Sequence, residues 1–284
     1  MRRSLLFIPA DTPGMMQHAD VFDADAIIFD LEDAVLPDEK DAALTLLDHY
    51  LQSFPLAATE IIIRINPMDS PYAARDIKGV VCDQIDTILL PKADLKSLKK
   101  LDQTISKIES DQHMTKPIKV IALIETPAAV LDAALIAQAP RVDGLLLGGE
   151  DLATALEVER TSEGMEIFLA RSLIVLAAKA HGIDAIDTPY VNSRDLEGLA
   201  ADARRARGLG LNAKACIHPN QVETVNVSFS PTPEDIAYAQ KIILAQKTHD
   251  KGVFAVDGKM VDAPVIKRAE RLLEKARHWK LVKP

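Results

Sequence analysis

The segment KVIALIETPAAVLDAALIAQ, from Lys119 to Gln138, and the run GLLLGGED that follows from Gly144 to Asp151 decide the fold. An apolar run of strand length, Lys119–Ile124, stops at the charged Glu125. A segment of helical period, Pro127–Gln138, comes next, and a second apolar run, Gly144–Leu147, starts the pattern again. The same alternation extends in both directions, with strands expected at Leu5–Pro9, Ala26–Leu31, Ile61–Ile65, Thr87–Leu90, Asp184–Ile186 and Leu211–Cys216. Amphipathic segments fill the gaps at Glu39–Leu51, Lys96–Glu109, Glu163–His181, Arg194–Arg207 and Asn220–Val225. Strands that alternate with helices pair in parallel through right-handed crossovers. Eight such units within about 225 residues match an α/β chain of the (β/α)8 TIM-barrel kind. An open doubly wound sheet fits less well, because it has fewer strands and a glycine-rich phosphate turn after the first. No GxGxxG or Walker sequence occurs here, so a dinucleotide or P-loop nucleotide has no support.

Length and composition agree with one large domain or two small ones: 284 residues, 48% hydrophobic and 26% charged. The formal charge of −9 disfavours nucleic acid or an anionic membrane as partner. Cys82 and Cys216 form no CxxC and read as buried thiols of a reducing compartment. The apolar stretch Leu5–Ile8 is broken too early, by Pro9 and Pro13, to be a signal-peptide core, and no run approaches membrane-spanning length. The cytoplasm is the expected location.

A barrel gathers the C-terminal ends of its strands at one mouth, where the active site lies. Those ends are polar here: Asp30, Glu32 and Asp33, Arg64 and Asn66, Lys92, Glu125, Glu150 and Asp151, Asp187, and His218. No comparable collection is expected at the N-terminal ends. Glu125 and Asp151 follow consecutive strands, and two hard oxygen ligands completed by water and substrate suit Mg2+. The competing reading is that one or both carboxylates cap the helices after them or form ion pairs. Arg64 is either a bidentate donor to a carboxylate or enolate oxygen or a neutraliser of the acids around it, and one side chain can do both. Glu32 and Asp33 would repel their neighbours unless a cation intervened, and could orient metal-bound water. A plain acidic cluster at a helix start is the more common explanation of them. His218 reads as a hydrogen-bonded strand terminus, Lys92 as an ion-paired residue, and neither cysteine as a nucleophile.

Beyond the eighth unit, Pro231-Thr232-Pro233 leads to a helix from Glu234, a break at Asp250-Lys251-Gly252, a hairpin around Asp257-Gly258 and a last helix to about Trp279. This divides the chain into a barrel over 1–230 and a C-terminal helix–hairpin–helix extension over 231–284, surplus to the barrel and suited to a lid or an oligomer contact.

Seven strings in register, Arg3-Ser4-Leu5-Leu6-Phe7-Ile8-Pro9, Ile28-Phe29-Asp30-Leu31-Glu32-Asp33-Ala34-Val35, Arg64-Ile65-Asn66-Pro67, Leu90-Pro91-Lys92, Ile124-Glu125-Thr126, Gly149-Glu150-Asp151 and Gly258-Lys259-Met260-Val261-Asp262, resemble the citrate lyase β-subunit-like family of HpcH/HpaI aldolases and citrate lyases. The resemblance implies a Mg2+-dependent carbon–carbon lyase that cleaves a 3-hydroxyacyl-CoA thioester, of citramalyl or malyl type, to acetyl-CoA and a 2-oxo acid. It implies Glu125 and Asp151 as metal ligands, with Glu125 also toward substrate, Arg64 on the thioester enolate, Glu32 and Asp33 behind the metal, and a homotrimer or hexamer. In relatives with a similar tail an aspartate corresponding to Asp262 reaches a neighbouring subunit's mouth, which makes Asp262 the expected general acid. Its competing reading is a turn residue before Pro264. Asn212-Ala213-Lys214-Ala215, where Asp-Gly-Lys-Ser is common, and the loop Asp187–Arg194 depart from the family pattern and leave the carrier contacts open. Three other readings stay open: a citrate lyase β-subunit acting on a citryl group borne by an acyl-carrier protein, a pyruvate-dependent Mg2+ aldolase without a thioester, and a non-catalytic metal-binding scaffold.

Overall fold

Each apolar run becomes a strand: β1 Ser4–Pro9, β2 Ala26–Asp30, β3 Glu60–Arg64, β4 Thr87–Leu90, β5 Lys119–Ile124, β6 Val142–Leu147, β7 Asp184–Asp187 and β8 Ala213–Cys216. They pair in parallel in chain order, and β1 pairs with β8 to close the barrel. The structure, a computed structural model, describes residues 1–53, 59–248 and 252–282. Alternate residues of the strands, among them Leu5, Ile28, Ile62, Leu89, Ile121 and Ile186, pack into one buried cluster, so the barrel interior is a core and not a pore.

The helices differ from expectation where local chemistry interrupts the period. The segment from Pro127 splits into Pro127–Leu131 and Ala133–Ile136, because Asp132 (φ −90°, ψ 6°) leaves the helical region. The segment expected from Glu163 begins as an α-helix only at Phe168, since Gly164 takes a left-handed φ of +69° and a short 3₁₀ turn intervenes. Three short helices, Pro13–Met16, Ala73–Val80 and Gly149–Ala155, were too brief for periodicity to reveal. Cys216 is buried as expected, whereas Cys82 is only half-buried. Among the described residues, no helix is long and apolar enough to cross a membrane.

The N-terminal ends of the strands are more polar than expected. Arg2, only 6% exposed, donates to Glu60 at 2.6 and 2.7 Å, to Asp143 at 2.7 Å and to Asp184 at 2.8 Å, joining the starts of β3, β6 and β7. The sequence hid this cluster because its members lie up to 182 positions apart. Burial works to lower the guanidinium pKa, but Glu60, Asp184 and Asp143 together carry it above its ordinary value.

A second buried network lies between β7, β8 and the helices Phe168–His181 and Leu196–Leu209. Arg171 donates to Asp187 at 2.8 and 2.9 Å and to Asp202 at 2.9 Å, and the Lys214 ammonium reaches Asp187 at 2.6 Å and Asp202 at 2.7 Å. Two cations and two carboxylates balance in charge, which is what makes their burial tolerable. Burial alone would raise the Asp202 carboxyl, yet Lys214 and Arg171 outweigh it and hold the group down at about 2.

Two compact units divide the chain, one over Arg2–Ser228 and the other over Phe229–Pro284 together with Met1. Within the second, the helices Pro233–Thr248 and Ala263–His278 pack with the hairpin β9 Phe254–Val256 and β10 Lys259–Val261 around Ile242, Val261, Leu273 and Ala276. Asp257 and Gly258, at φ +49° and +77°, make the two-residue turn that the Asp-Gly pair announces. Asp250 and Lys251 of the expected break lie outside the described residues.

Replacing Arg2 by methionine removes the cation that Glu60 and Asp184 share and leaves Asp143 with Lys119, and is expected to cost about 3–5 kcal/mol in urea unfolding; a loss under about 1 kcal/mol would contradict the assignment. The lowered Asp202 pKa contributes stability, on the order of 2 kcal/mol, that is present above the usual carboxylate range and lost as pH falls toward about 2. Unfolding free energy followed from about pH 6 to about pH 3 is expected to fall more steeply in the wild type than in Asp202→Asn. Equal slopes would remove Asp202 from the acid response.

Candidate active site

The register of β2 and β3 places Asp30 directly opposite Arg64 at the barrel mouth. Arg64 donates from Nε to Asp30 Oδ1 at 2.7 Å and from Nη2 to Oδ2 at 2.6 Å, a bidentate pair in which Asp30 is 2% exposed. The same carboxylate accepts the backbone N–H groups of Glu32 at 2.8 Å and Ala34 at 3.2 Å, so Asp30 shapes the loop after β2 while it aims the arginine. The guanidinium lies 5.0 Å from the centre of the Phe7 ring. Arg64 therefore neutralises acids, as one reading expected, and its third nitrogen, Nη1, points toward Asp33 at 3.4 Å and Glu32 at 3.0 Å.

Glu125 follows β5 and is 3% exposed. Helix capping does not explain it, because Thr126 fills that role by accepting from Ala129 N at 3.1 Å. Glu125 instead accepts the Lys92 backbone N–H on Oε1 at 2.6 Å and stands near enough to Asp151 for that carboxylate to act on it. Asp151 stands in the first turn of the helix Gly149–Ala155, where the helix dipole favours a negative charge, and it is not the cap. Burial first, and then Asp151, raise the Glu125 carboxyl to about 7 against the opposing pull of the Lys92 N–H and Arg64. Two adjoining glycines make this approach possible. A Cβ on Gly148 would come 2.5 Å from Glu125 Cβ, and one on Gly149 would come 2.8 Å from Thr188 Oγ1.

These groups surround a cavity of about 400 Å³ whose apolar wall includes Phe7, Leu123, Leu146 and Ile217. Arg64 is the only basic side chain among the described residues that line it, against the carboxylates of Asp30, Asp33, Glu125, Glu150 and Asp151. Glu150 is drawn off by Arg160 at 3.1 Å. Glu32 is buried behind Arg64. Burial pushes its carboxyl to about 8, Arg64 pulls it down, and Asp33, Glu125 and Asp30 push it further up. Its Oε2 has the ion pair with Arg64 but no aligned hydrogen bond. Asp33 is mostly exposed at the rim.

Four of the expected site residues, Arg64, Glu125, Asp151 and Glu32, thus meet at one point, with Asp33 beside them. Asp262 belongs to the C-terminal unit, where it caps the helix Ala263–His278 by accepting Val265 N on Oδ1 at 3.2 Å. His218 is exposed and bonded to Asn220 at 2.7 Å, in keeping with a strand terminus. Lys92 contributes its backbone N–H, held at a left-handed φ of +48°, and not its ammonium. Sequence reasoning missed the clamp by Asp30, the close approach at Gly148 and Gly149, the hydroxyl of Thr188 behind them, and the buried Lys40, which donates to the carbonyls of Leu31 and Glu32 at 2.8 Å each. The pairing register of Asp30 with Arg64 was the one signal within reach.

The model of the HpcH/HpaI aldolase/citrate lyase family matches residues 3–219. The citrate lyase β-subunit of Haemophilus influenzae is 38% identical over 283 residues, covering 98% of this chain and 97% of its own. A (3S)-malyl-CoA thioesterase of Cereibacter sphaeroides is 35% identical over 277 residues, covering 96% and 94%. Among solved structures, the protein CitE of Mycobacterium tuberculosis in complex with magnesium, acetoacetate and coenzyme A superimposes with a TM-score of 0.79 at 33% identity, covering 97% of this chain and 98% of that one. The chain belongs to the HpcH/HpaI aldolase/citrate lyase family, and with that membership the resemblance carried by the seven strings, and the carbon–carbon lyase it implied, are borne out.

Proposed function

We propose that the mouth holds Mg2+ on Glu125 and Asp151 and that the protein cleaves a 3-hydroxyacyl-CoA thioester, of citramalyl or malyl type, to acetyl-CoA and a 2-oxo acid. The crowding of Glu125 against Asp151, in a cavity rich in carboxylates and poor in cations, carries this reading. Two carboxylates forced into contact are each other's destabiliser until a cation sits between them. Two carboxylates are a donor set that suits a hard cation keeping its waters and taking further oxygens from substrate. When bound, the cation supplies Lewis acidity to the carboxylate and hydroxyl of the substrate.

The chain's own residues supply the rest. Asp30 holds the Arg64 guanidinium rigid, and its remaining N–H bonds meet the thioester oxygen where negative charge develops on cleavage. Phe7, Leu123, Leu146 and Ile217 keep water from the enolate. Asp262, brought by the C-terminal extension of a neighbouring copy in a trimer or hexamer, donates a proton to the enolate carbon in cleavage, while the proton of the substrate hydroxyl passes to solvent, and takes the carbon proton back in condensation, where solvent returns the hydroxyl proton. The cap engages its Oδ1 and leaves Oδ2 for the transfer. A reducing, cytoplasmic setting fits the two free cysteines. A citryl group borne by an acyl-carrier protein is the second reading, favoured by the likeness to citrate lyase β-subunits over nearly the full chain.

A panel of citramalyl-, malyl- and citryl-CoA, assayed for 2-oxo acid and for free CoA with Mg2+ and with EDTA, tests the proposal. Magnesium-dependent pyruvate or glyoxylate is expected. Oxaloacetate from citryl-CoA alone would favour the carrier reading, and free CoA without any 2-oxo acid would contradict a lyase. Glu125→Ala is expected to lose activity and Mg2+ response together. Asp262→Asn is expected to keep metal binding while turnover falls roughly 10²-fold; unchanged turnover would remove Asp262 from the mechanism.

A further inference from the structure

The helix that carries Asp151 is only seven residues long and has no side-chain cap. Its first backbone N–H, that of Gly149, is buried and donates to Thr188 Oγ1 at 3.1 Å. Thr188 follows β7 and is itself 1% exposed. Its carbonyl accepts the Lys214 ammonium at 2.7 Å, and that ammonium is held by Asp187 and Asp202. A continuous line of short polar contacts therefore runs from the charge-balanced network under β7 and β8, through Lys214 and both oxygens of Thr188, to the helix start two residues before Asp151. The fit is tight on both sides, because a Cβ on Gly149 would meet Thr188 Oγ1 at 2.8 Å, Cγ2 at 3.1 Å and Cβ at 3.2 Å.

We propose that Thr188 is a positioning residue for the metal ligand Asp151, its hydroxyl fixing the first turn of the Gly149–Ala155 helix and its carbonyl anchored by Lys214. The inference rests on the reading of Glu125 and Asp151 as a metal site. It assigns a role to the loop after β7 and to Lys214, both in segments where the sequence departs from the common family pattern. A buried donor deprived of its acceptor finds a new one by moving, and here the group that moves carries a ligand. Groups that orient metal ligands from behind are commonly worth ten- to a hundredfold in metal affinity.

Mn2+ binding to the full-length protein, read by electron paramagnetic resonance of the free ion, tests this without catalysis. Thr188→Val keeps the shape and loses the acceptor, whereas Thr188→Ser keeps the hydroxyl. The wild type and the serine variant are expected to bind within about threefold of each other, and the valine variant about tenfold or more weakly. Wild-type affinity in a folded valine variant, even one with a lowered Tm, would reduce Thr188 to a structural role and overturn the proposal. Equal weakening by serine and valine would do so too, by assigning the effect to packing. Gly149→Ala presses on the same hydroxyl from the other side and is expected to weaken Mn2+ to a similar degree; full affinity there overturns the proposal should the valine variant not fold. A wild type that binds no Mn2+ would overturn the metal reading itself, an outcome distinct from a wild type that binds and a valine variant that binds equally.

Discussion

The bidentate contact between Arg64 and Asp30 is the constraint around which the mouth is organised. It spends one carboxylate to fix the only guanidinium among the described residues lining the cavity, and so leaves Glu32, Glu125 and Asp151 with too little positive charge. Two of those groups respond by holding their protons to unusually high pH, Glu32 to about 8 and Glu125 to about 7. Such an arrangement is costly for a protein that only has to stand, and useful for one that binds a divalent cation.

The barrel makes this concentration of charge affordable. Parallel register sets Asp30 against Arg64 and Ile124 against Leu147, so the residues that follow β5 and β6 emerge side by side without help from flexible loops. Glycine at 148 and 149 then lets the second of those loops close onto Glu125 and Thr188. At the opposite end Arg2 ties three strands together, and under β7 and β8 two cations and two carboxylates balance in the interior. Charge is thus balanced on the flank, while at the base Arg2 faces three carboxylates, one of them shared with Lys119.

Much of this was legible in the sequence. Eight apolar runs with helical segments between them gave the barrel, because both periods are local properties of the chain. Strand-end position alone brought Arg64, Glu125 and Asp151 together. What removes the capping reading at Glu125 is its neighbour, Thr126, whose hydroxyl satisfies the helix N-terminus and frees the glutamate to face the cavity. The Arg2 cluster, the Lys214 network and the Thr188 hydroxyl were not legible, since each depends on contacts between residues far apart in the chain, such as Arg2 with Asp184. The lost helical turns at Asp132 and Gly164 trace to single residues leaving the helical region, which a periodicity reading averages away.

The measurement that bears most directly on this account is anomalous diffraction from crystals of the wild-type protein grown with Mn2+. The account predicts one anomalous peak per chain bridging the carboxylate oxygens of Glu125 and Asp151, with Arg64 still held by Asp30. Those two carboxylates hydrogen-bonded to each other, with no peak between them at saturating Mn2+, would contradict it.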